Sequence, residues 1–536
     1  MPAYYVQSGT SLQKITSSGT ISTLTLPTGI TIDSTKRGRF ALLGRKVVLV
    51  NSPTRNLVID PFTDTVSPLV LAPPRSAPVA AASSGAGALT GDYSVKHTFG
   101  IRDDDGAIIS QSPYGPVSNT VTLTSKLLNV AGIERCPDSA CNFRRVYRTL
   151  AGGSVYFNWI DVDGNTETTV EAGIADAALE LLPGPTDFGA PPGTFQGSGL
   201  YLIAQWKGYL WARETNGSFI DKLRFSASGQ YSRWPAANAF SIPQVGSDEF
   251  GITAFAPRRD EFGVFKRDSL HKIVGNSESD FRRTTVVEGV GCIAPESVVI
   301  IYDVAYFLTE KGVYRWTNEG VKPVSDRVIP WFTTDTYFNR SQFPNARGTF
   351  DPDLGCYRLQ LAGTGSTDLD RWVDYYIRDN KWYGPHKTEV GTPTAVALLE
   401  DSNDLDLPVI CTSDGYVYKM NQSTFSDVGA ATNAIDFDVT TGWHSGNTPR
   451  ISKFWGFLTL LTKVQAAGTL TVTPTVGKTN ASAGSAISHA LTSGGTKERR
   501  LGLGPLLRLR FRHNTAGQGA TIFGYEIPFF EVGERL

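Results

Sequence analysis

VAYFLTEKGVYRWT, residues 304–317, decides the fold. An apolar run meets a short polar turn at residues 309–312, and a second run rich in aromatic residues follows. That is the signature of two short strands folded back on each other. The same unit recurs as YLIAQWKGYLWAR (201–213), FGVFKRDSLHKIVG (262–275), CYRLQL with WVDYYIRDNKWYG (356–361 and 372–384) and LPVICTSDGYVYKMN (407–421). Anchored on Val264, Ala305, Tyr357 and Val409, the copies lie 41, 52 and 52 residues apart. A four-stranded propeller blade takes roughly 40 to 50 residues. One blade cannot bury both its faces alone, so neighbours must stack around an axis.

Working outward, residues 1–72 carry the same style in AYYVQSGTSLQKIT (3–16) and VVLVNSPTRNLVID (47–60). They are expected to contribute strands to the propeller and close its ring, for six or seven blades in all. The Pro-rich exit LAPPRSAP (71–78) and the run AAASSGAGALTG (80–91) read as a linker by composition. Residues 73–192 then read as an inserted fibronectin-III/Ig-like sandwich, with turns every 8 to 12 residues or so. Propeller blades resume over 193–429. The cleaner alternation of 430–536 predicts a β-sandwich that closes the chain. The fold class is all-β, and the only helix expected is IADAALELL (174–182).

Fifty Lys and Arg against 51 Asp and Glu leave a net charge of −1. A whole-surface attraction to nucleic acid or acidic lipid is excluded, so any DNA contact must come from a local patch. MPAYYVQSGTSLQK (1–14) has neither a basic n-region nor an apolar h-region, so no secretory signal is expected. Five cysteines, at 136, 141, 292, 356 and 411, make no disulfide scaffold at this length. CPDSAC (136–141) could close a loop disulfide or a metal clip, but free thiols in a reducing cytoplasm are the expected state.

The search for chemistry returns little. The nucleophile elbow G-x-S-x-G and the metalloprotease motif H-E-x-x-H are both absent. The six histidines (97, 271, 386, 444, 489, 513) show no metal-ligand spacing. Gly477-Lys478-Thr479 resembles the end of a phosphate loop, but the first glycine of that motif would fall on Val472, so a hairpin turn is the reading. DVDGNTE (161–167) hints at a calcium loop, yet its sixth position is Thr166 and its twelfth Ala172, which leaves a turn with solvated carboxylates. No catalytic residue, metal or cofactor is indicated. Arg144, Arg145 and Arg148 read as a solvated strand face.

One patch stands out. In Leu507-Arg-Leu-Arg-Phe-Arg512, the alternation places Leu507, Leu509 and Phe511 on one face and Arg508, Arg510 and Arg512 on the other. Arg499 and Arg500 lie just upstream, with Lys497. This is a sandwich strand with a solvated face, an interface strand that pairs with acids on a neighbour, or a local basic surface that guides or tolerates DNA phosphates.

The unit at 281–332, with GVGCIAPESV (289–298), the YFLT and GVYRW strands and IPWF (329–332), resembles a blade of the tail nozzle proteins of short-tailed bacteriophages. These are also called tail tubular protein B or head–tail stabilisation proteins. GDYSV (91–95), SQSP (110–113) and RRVYRT (144–149) followed by Gly152-Gly153 resemble the fibronectin-III-like domain of phage structural proteins. KFWG through IFGYEIPFFE (453–531) resembles the C-terminal sandwich of the same nozzle proteins. The resemblance implies a homo-hexameric ring in the virion tail, assembled in the host cytoplasm. The ring would sit below the portal and adaptor, contact tail fibre, spike or needle proteins, and pass viral double-stranded DNA without inserting into a membrane. Two other readings stay open: a carbohydrate-binding tail or receptor-binding protein, and a propeller hydrolase with an acidic cluster on its axis.

Overall fold

A computed structural model describes residues 3–16, 19–102, 105–138, 140–179, 200–214, 222–235, 237–243, 251–387, 391–400, 406–420 and 434–532. The chain forms two compact units, Met1–Lys387 with Thr392–Val409, and Thr388–Gly391 with Ile410–Leu536.

The first unit is built on a β-propeller. Among the described residues, seven consecutive sheets take their strands in chain order. Blade 1 is Ala3–Ser8, Ser11–Thr16 and Ile21–Thr23, and blade 2 is Arg39–Leu43, Lys46–Val50, Leu57–Asp60 and Thr65–Pro68. Blade 3 is Leu200–Trp206, Tyr209–Glu214, Lys222–Phe225 and Ala239–Ser241. Blade 4 is Ala254–Pro257, Phe262–Phe265, Ser269–Val274 and Arg282–Glu288. Blade 5 is Val299–Ile301, Val304–Thr309, Gly312–Thr317 and Gly320–Pro323. Blade 6 is Arg347–Asp351, Cys356–Leu361, Arg371–Tyr376 and Lys381–Lys387. Blade 7 is Pro393–Glu400, Asp406–Thr412 and Val417–Lys419, with the boundary between the units inside its middle strand. From blade 2 to blade 7, the first strand of each sheet packs beside the first strand of the next. Blade 7 meets blade 1 where the Tyr4 hydroxyl donates to the Glu400 carbonyl at 3.1 Å and accepts from the Glu400 N–H. All four anchors of the sequence repeat, Val264, Ala305, Tyr357 and Val409, fall on second strands and are buried.

The period of two explains why these strands are apolar on both sides. Val48 and Val50 enter the core shared with blade 3, while Leu49 enters the core shared with blade 1. Leu210 and Ala212 face blade 2, while Tyr209 and Trp211 face blade 4. Ala305 and Phe307 face blade 4, while Tyr306 and Leu308 face blade 6. A strand covered on both faces loses its polar alternation. Polar pins cross the same interfaces. Trp206 Nε1 donates to the Arg258 carbonyl at 2.6 Å, and the Tyr357 hydroxyl donates to the Ser297 carbonyl at 2.8 Å.

Between blades 2 and 3 stands the inserted sandwich. One sheet holds Val79–Tyr93, Val121–Ala131 and Thr169–Ala172; the other holds Val95–Arg102, Ile108–Gln111, Phe143–Thr149 and Tyr156–Asp163. Three sequence readings are corrected here. The run at 80–91 is not a linker but most of the 15-residue strand Val79–Tyr93. Its small residues serve close approach: a Cβ on Gly87 would lie 2.5 Å from the Leu127 nitrogen and from the Lys126 carbonyl. Nor do the arginines form a solvated face. Arg144 and Arg148 are fully buried, on the same inward face as Val146, and Arg145 pairs with Asp161 at 2.6 Å. Asp161, also paired with Arg102, is therefore not a solvated turn carboxylate, whereas Asp163 is exposed. The helix spans Asp176–Leu179; residues 180–182 of the expected helix lie outside the described residues.

The second unit contains the terminal β-sandwich. One sheet runs Phe437–Thr440, Leu506–His513, Thr469–Gly477 and Ile487–Ala490. The other joins Gly495–Gly504, Lys453–Thr462 and Ile522–Glu526, with Phe529–Glu531 also paired to Lys453–Thr462. Trp455, Leu458, Leu460, Leu470, Val472 and Leu507 fill the space between them. Gly477 ends a strand with φ +142°, and the chain turns just after it, where the Ala481 N–H donates to the Lys478 carbonyl at 2.9 Å.

Two substitutions test this account. Trp211, fully buried and stacked on Phe225 at 4.6 Å and Phe262 at 5.0 Å, should cost about 3–5 kcal/mol when replaced by Ala. Gly87→Val should destabilise the inserted sandwich by about 1–3 kcal/mol, whereas a flexible linker would tolerate it. Calorimetric unfolding of the full chain reads both.

Candidate functional site

The first-strand ends of the propeller gather a charged cluster. Arg37 and Arg39 stand at the start of the inner strand of blade 2. Pro295, at the head of a single 3-10 turn, sets Glu296 just before the inner strand of blade 5. Arg39 Nη1 pairs with Glu296 Oε1, and Arg37 Nη1 lies 3.6 Å from Glu296 Oε2. Arg37 Nη2 also donates to the Thr394 carbonyl of blade 7 at 2.9 Å. The Arg39 guanidinium lies 5.5 Å from the Tyr201 ring of blade 3, with Arg213 4.9 Å from the same ring. Blades 2 and 5 are not neighbours, so this ion pair bridges the axis of the propeller. Half-buried, it is less screened than a surface pair. No motif in the sequence marked these residues. The signal available was their shared position just before or at the start of an inner strand, which becomes visible only once the blade register is known.

The arginine strand lies in the terminal sandwich. Leu506–His513 alternates as read: Leu507, Leu509 and Phe511 are buried, while Arg510 and Arg512 are about half exposed. The acids facing them belong to this same chain. Arg510 donates through Nε to Asp438 Oδ1 at 2.8 Å and through Nη2 to Oδ2. Arg512 lies 3.3 Å from Asp436. The hydrogen bonds from Arg510 hold the Asp438 carboxyl below its usual range. Arg508 lies over the Trp443 ring at 4.8 Å. Arg500 sits in the other sheet, exposed, over the rings of Phe454 (5.7 Å) and Phe457 (5.3 Å). The side chain of Arg499 lies outside the described residues, as does that of Lys497. The structure thus brings Arg508, Arg510 and Arg512 together, neutralises most of their charge, and places Arg500 on a different sheet.

On that second sheet several apolar residues are exposed beside the charged Arg500, Glu526 and Glu531. Phe523 is 71% exposed, Phe530 62%, Leu503 59% and Leu461 49%. Phe454 stacks on Phe530 at 5.1 Å and pairs across the strand with Leu503. Among the described residues, no group of three or more His, Cys, Asp or Glu could hold a metal ion. Also among them, no helix is long and apolar enough to cross a membrane.

No family model matches the chain, and no curated protein matches it. Among solved structures it is similar to the extracellular domain of BT4673 from B. thetaiotaomicron, at 10% identity and TM-score 0.27, over 58% of this chain but 34% of that one. It is similar to PorZ, a surface component of the type-IX secretion system of Porphyromonas gingivalis, at 10% identity and TM-score 0.28, over 98% and 81% of the two chains. It is also similar to the Dos1 propeller, at 10% identity and TM-score 0.25, over 73% and 94%.

The axial bridge predicts coupling between distant blades. Arg39→Glu should lower the propeller's melting temperature, and adding Glu296→Arg should restore part of the loss. A coupling of about 0.5–3 kcal/mol is expected for a contacting charge pair. Simple additivity in calorimetry would mean the axis is not bridged.

Proposed function

We propose that this chain is a structural subunit of a ring-shaped assembly, of the tail nozzle type of short-tailed bacteriophages. It would act as a homo-hexamer below the portal and adaptor that continues the DNA channel, helps to retain DNA and lets it pass at ejection. The observation that carries this reading is the apolar outer face of the terminal sandwich: Phe454, Leu461, Leu503, Phe523 and Phe530. Phe454, Leu503 and Phe530 lie together at one end of the strand Lys453–Thr462, with Leu461 and Phe523 near the other; exposed apolar side chains of this kind are what contact with another copy of the chain would cover. The bridged axis supports the same reading. The Arg39–Glu296 pair crosses the propeller axis, so a duplex-wide channel would run between subunits and not through one. A conduit must not hold its cargo tightly, and the pairing of Arg510 and Arg512 with Asp438 and Asp436 leaves little net charge for phosphates to grip. The reading assigns no catalysis.

A carbohydrate-binding tail or receptor-binding protein is the second reading. It is favoured by Tyr302, 81% exposed on the turn between the first two strands of blade 5. Aromatic faces of this kind stack on sugars.

Native mass spectrometry of the purified chain, alone and with a portal–adaptor complex, separates the two. The nozzle reading predicts closed hexamers in at least one condition, and their loss in a Phe523→Ser, Phe530→Ser double variant that keeps its fold. A monomer in both conditions that binds glycans on an array, with binding lost in Tyr302→Ala, would replace the nozzle reading with the second one. A monomer that does neither would remove both.

A further inference from the structure

The inserted sandwich buries N–H donors without partners on one sheet face. Arg144 is fully buried, and none of its three guanidinium nitrogens makes a hydrogen bond among the described residues. It lies directly opposite Phe99 and diagonal to His97, on the face that also carries Val146. His97 is fully buried too, with its ring edge-on to Phe99 at 6.0 Å. Its Nε2 accepts the Glu134 N–H at 3.2 Å. Burial pushes its pKa down to about 4, so the ring is neutral at neutral pH. A neutral imidazole that accepts at Nε2 carries its proton on Nδ1, and this Nδ1 has no partner.

The groups around this face do not answer the charge of Arg144. Arg135, a second cation that acts on it, is exposed and donates to the Thr166 carbonyl at 3.3 and 3.1 Å. Glu167, a carboxylate that acts on it, is exposed as well. The Cys141 thiol donates to the Phe143 carbonyl at 3.4 Å. Asp138 Oδ2 is also buried without a partner, but Asp138 acts on Arg55 of the propeller side. The loop that meets His97 is firmly held. The Ile133 N–H donates to the Thr168 carbonyl at 3.0 Å, and Glu134 Oε2 accepts the Arg75 and Ser76 N–H groups, each at 2.6 Å. The unpartnered nitrogens of Arg144 and His97 are all donors, and Arg144 carries a charge. A water molecule accepts at such a place but has two hydrogens of its own to place. A monoanion accepts several N–H groups, donates none and cancels the charge. Both side chains are wholly enclosed in a close-packed interior, which suits a monatomic ion and not phosphate or sulfate.

We propose that the Arg144 guanidinium and the Nδ1–H of His97 form an internal site for a monovalent halide, chloride in the cell. The ion accepts from both side chains. Through the same imidazole it is tied to the Glu134 backbone, and so to the loop that Arg75 and Ser76 hold as the chain leaves blade 2. It enters and leaves when this loop opens locally, so its binding slows that opening.

Hydrogen exchange of the folded full chain, read by mass spectrometry, tests this. With ionic strength fixed, chloride in place of gluconate should slow exchange in peptides covering 95–101 and 132–149. By mass action the slowing should reach about threefold at twice the dissociation constant. Bromide should replace chloride, sulfate should not, and the terminal sandwich should not respond. Arg144→Met, close in volume but uncharged, should abolish the chloride effect. Should that variant fail to fold, His97→Phe, which removes the Nδ1 donor, should move the effect to higher chloride. Exchange that ignores the choice of anion, or that slows equally in sulfate, would overturn the proposal, as would chloride sensitivity that survives in a folded Arg144→Met variant.

Discussion

The structure depends on one constraint: the second strands of blades 2 to 6 bury side chains on both faces, and a single sheet can cover neither. Trp211 and Tyr209 need blade 4 as much as Leu210 and Ala212 need blade 2. Such a sheet gains its burial only when a neighbour stands on each side. The array must therefore close on itself, and the hydroxyl of Tyr4 against the backbone of Glu400 marks where it does. The inserted sandwich is placed where that logic is least disturbed, on the connection between blade 2 and blade 3, and it carries a core of its own.

Charge is handled inside the chain. Arg39 finds Glu296 across the axis, Arg510 and Arg512 find Asp438 and Asp436 one strand away, and Arg145 finds Asp161. Exposed Phe523, Phe530, Leu503 and Leu461 lie on the outer sheet of the terminal sandwich. Arg144 departs from this pairing of charges. A buried guanidinium without a hydrogen bond is costly.

Much of the fold was legible because its period is. Four anchors chosen by spacing all fell on the second strand of a blade, and the alternation of Leu507 to Arg512 gave both faces of its strand correctly. What failed had physical causes. In residues 80–91, Ala, Ser and Gly satisfy a tight strand crossing that composition alone presents as a linker. Arg144 and Arg148 share parity with Val146, so either the valine had to face outward or the arginines inward; charge argued for the first and the structure took the second. The partners of the candidate site lie too far away in sequence to be read. Asp438 is 72 residues from Arg510, and Glu296 is 257 from Arg39.

The central claim is that this chain is one of several copies in a virion ring. Quantitative mass spectrometry of purified virions, referenced to the portal protein, tests it most directly. The account predicts one copy of this chain for every two portal subunits. Absence from the particle, or a copy number several times that of the portal, would contradict it.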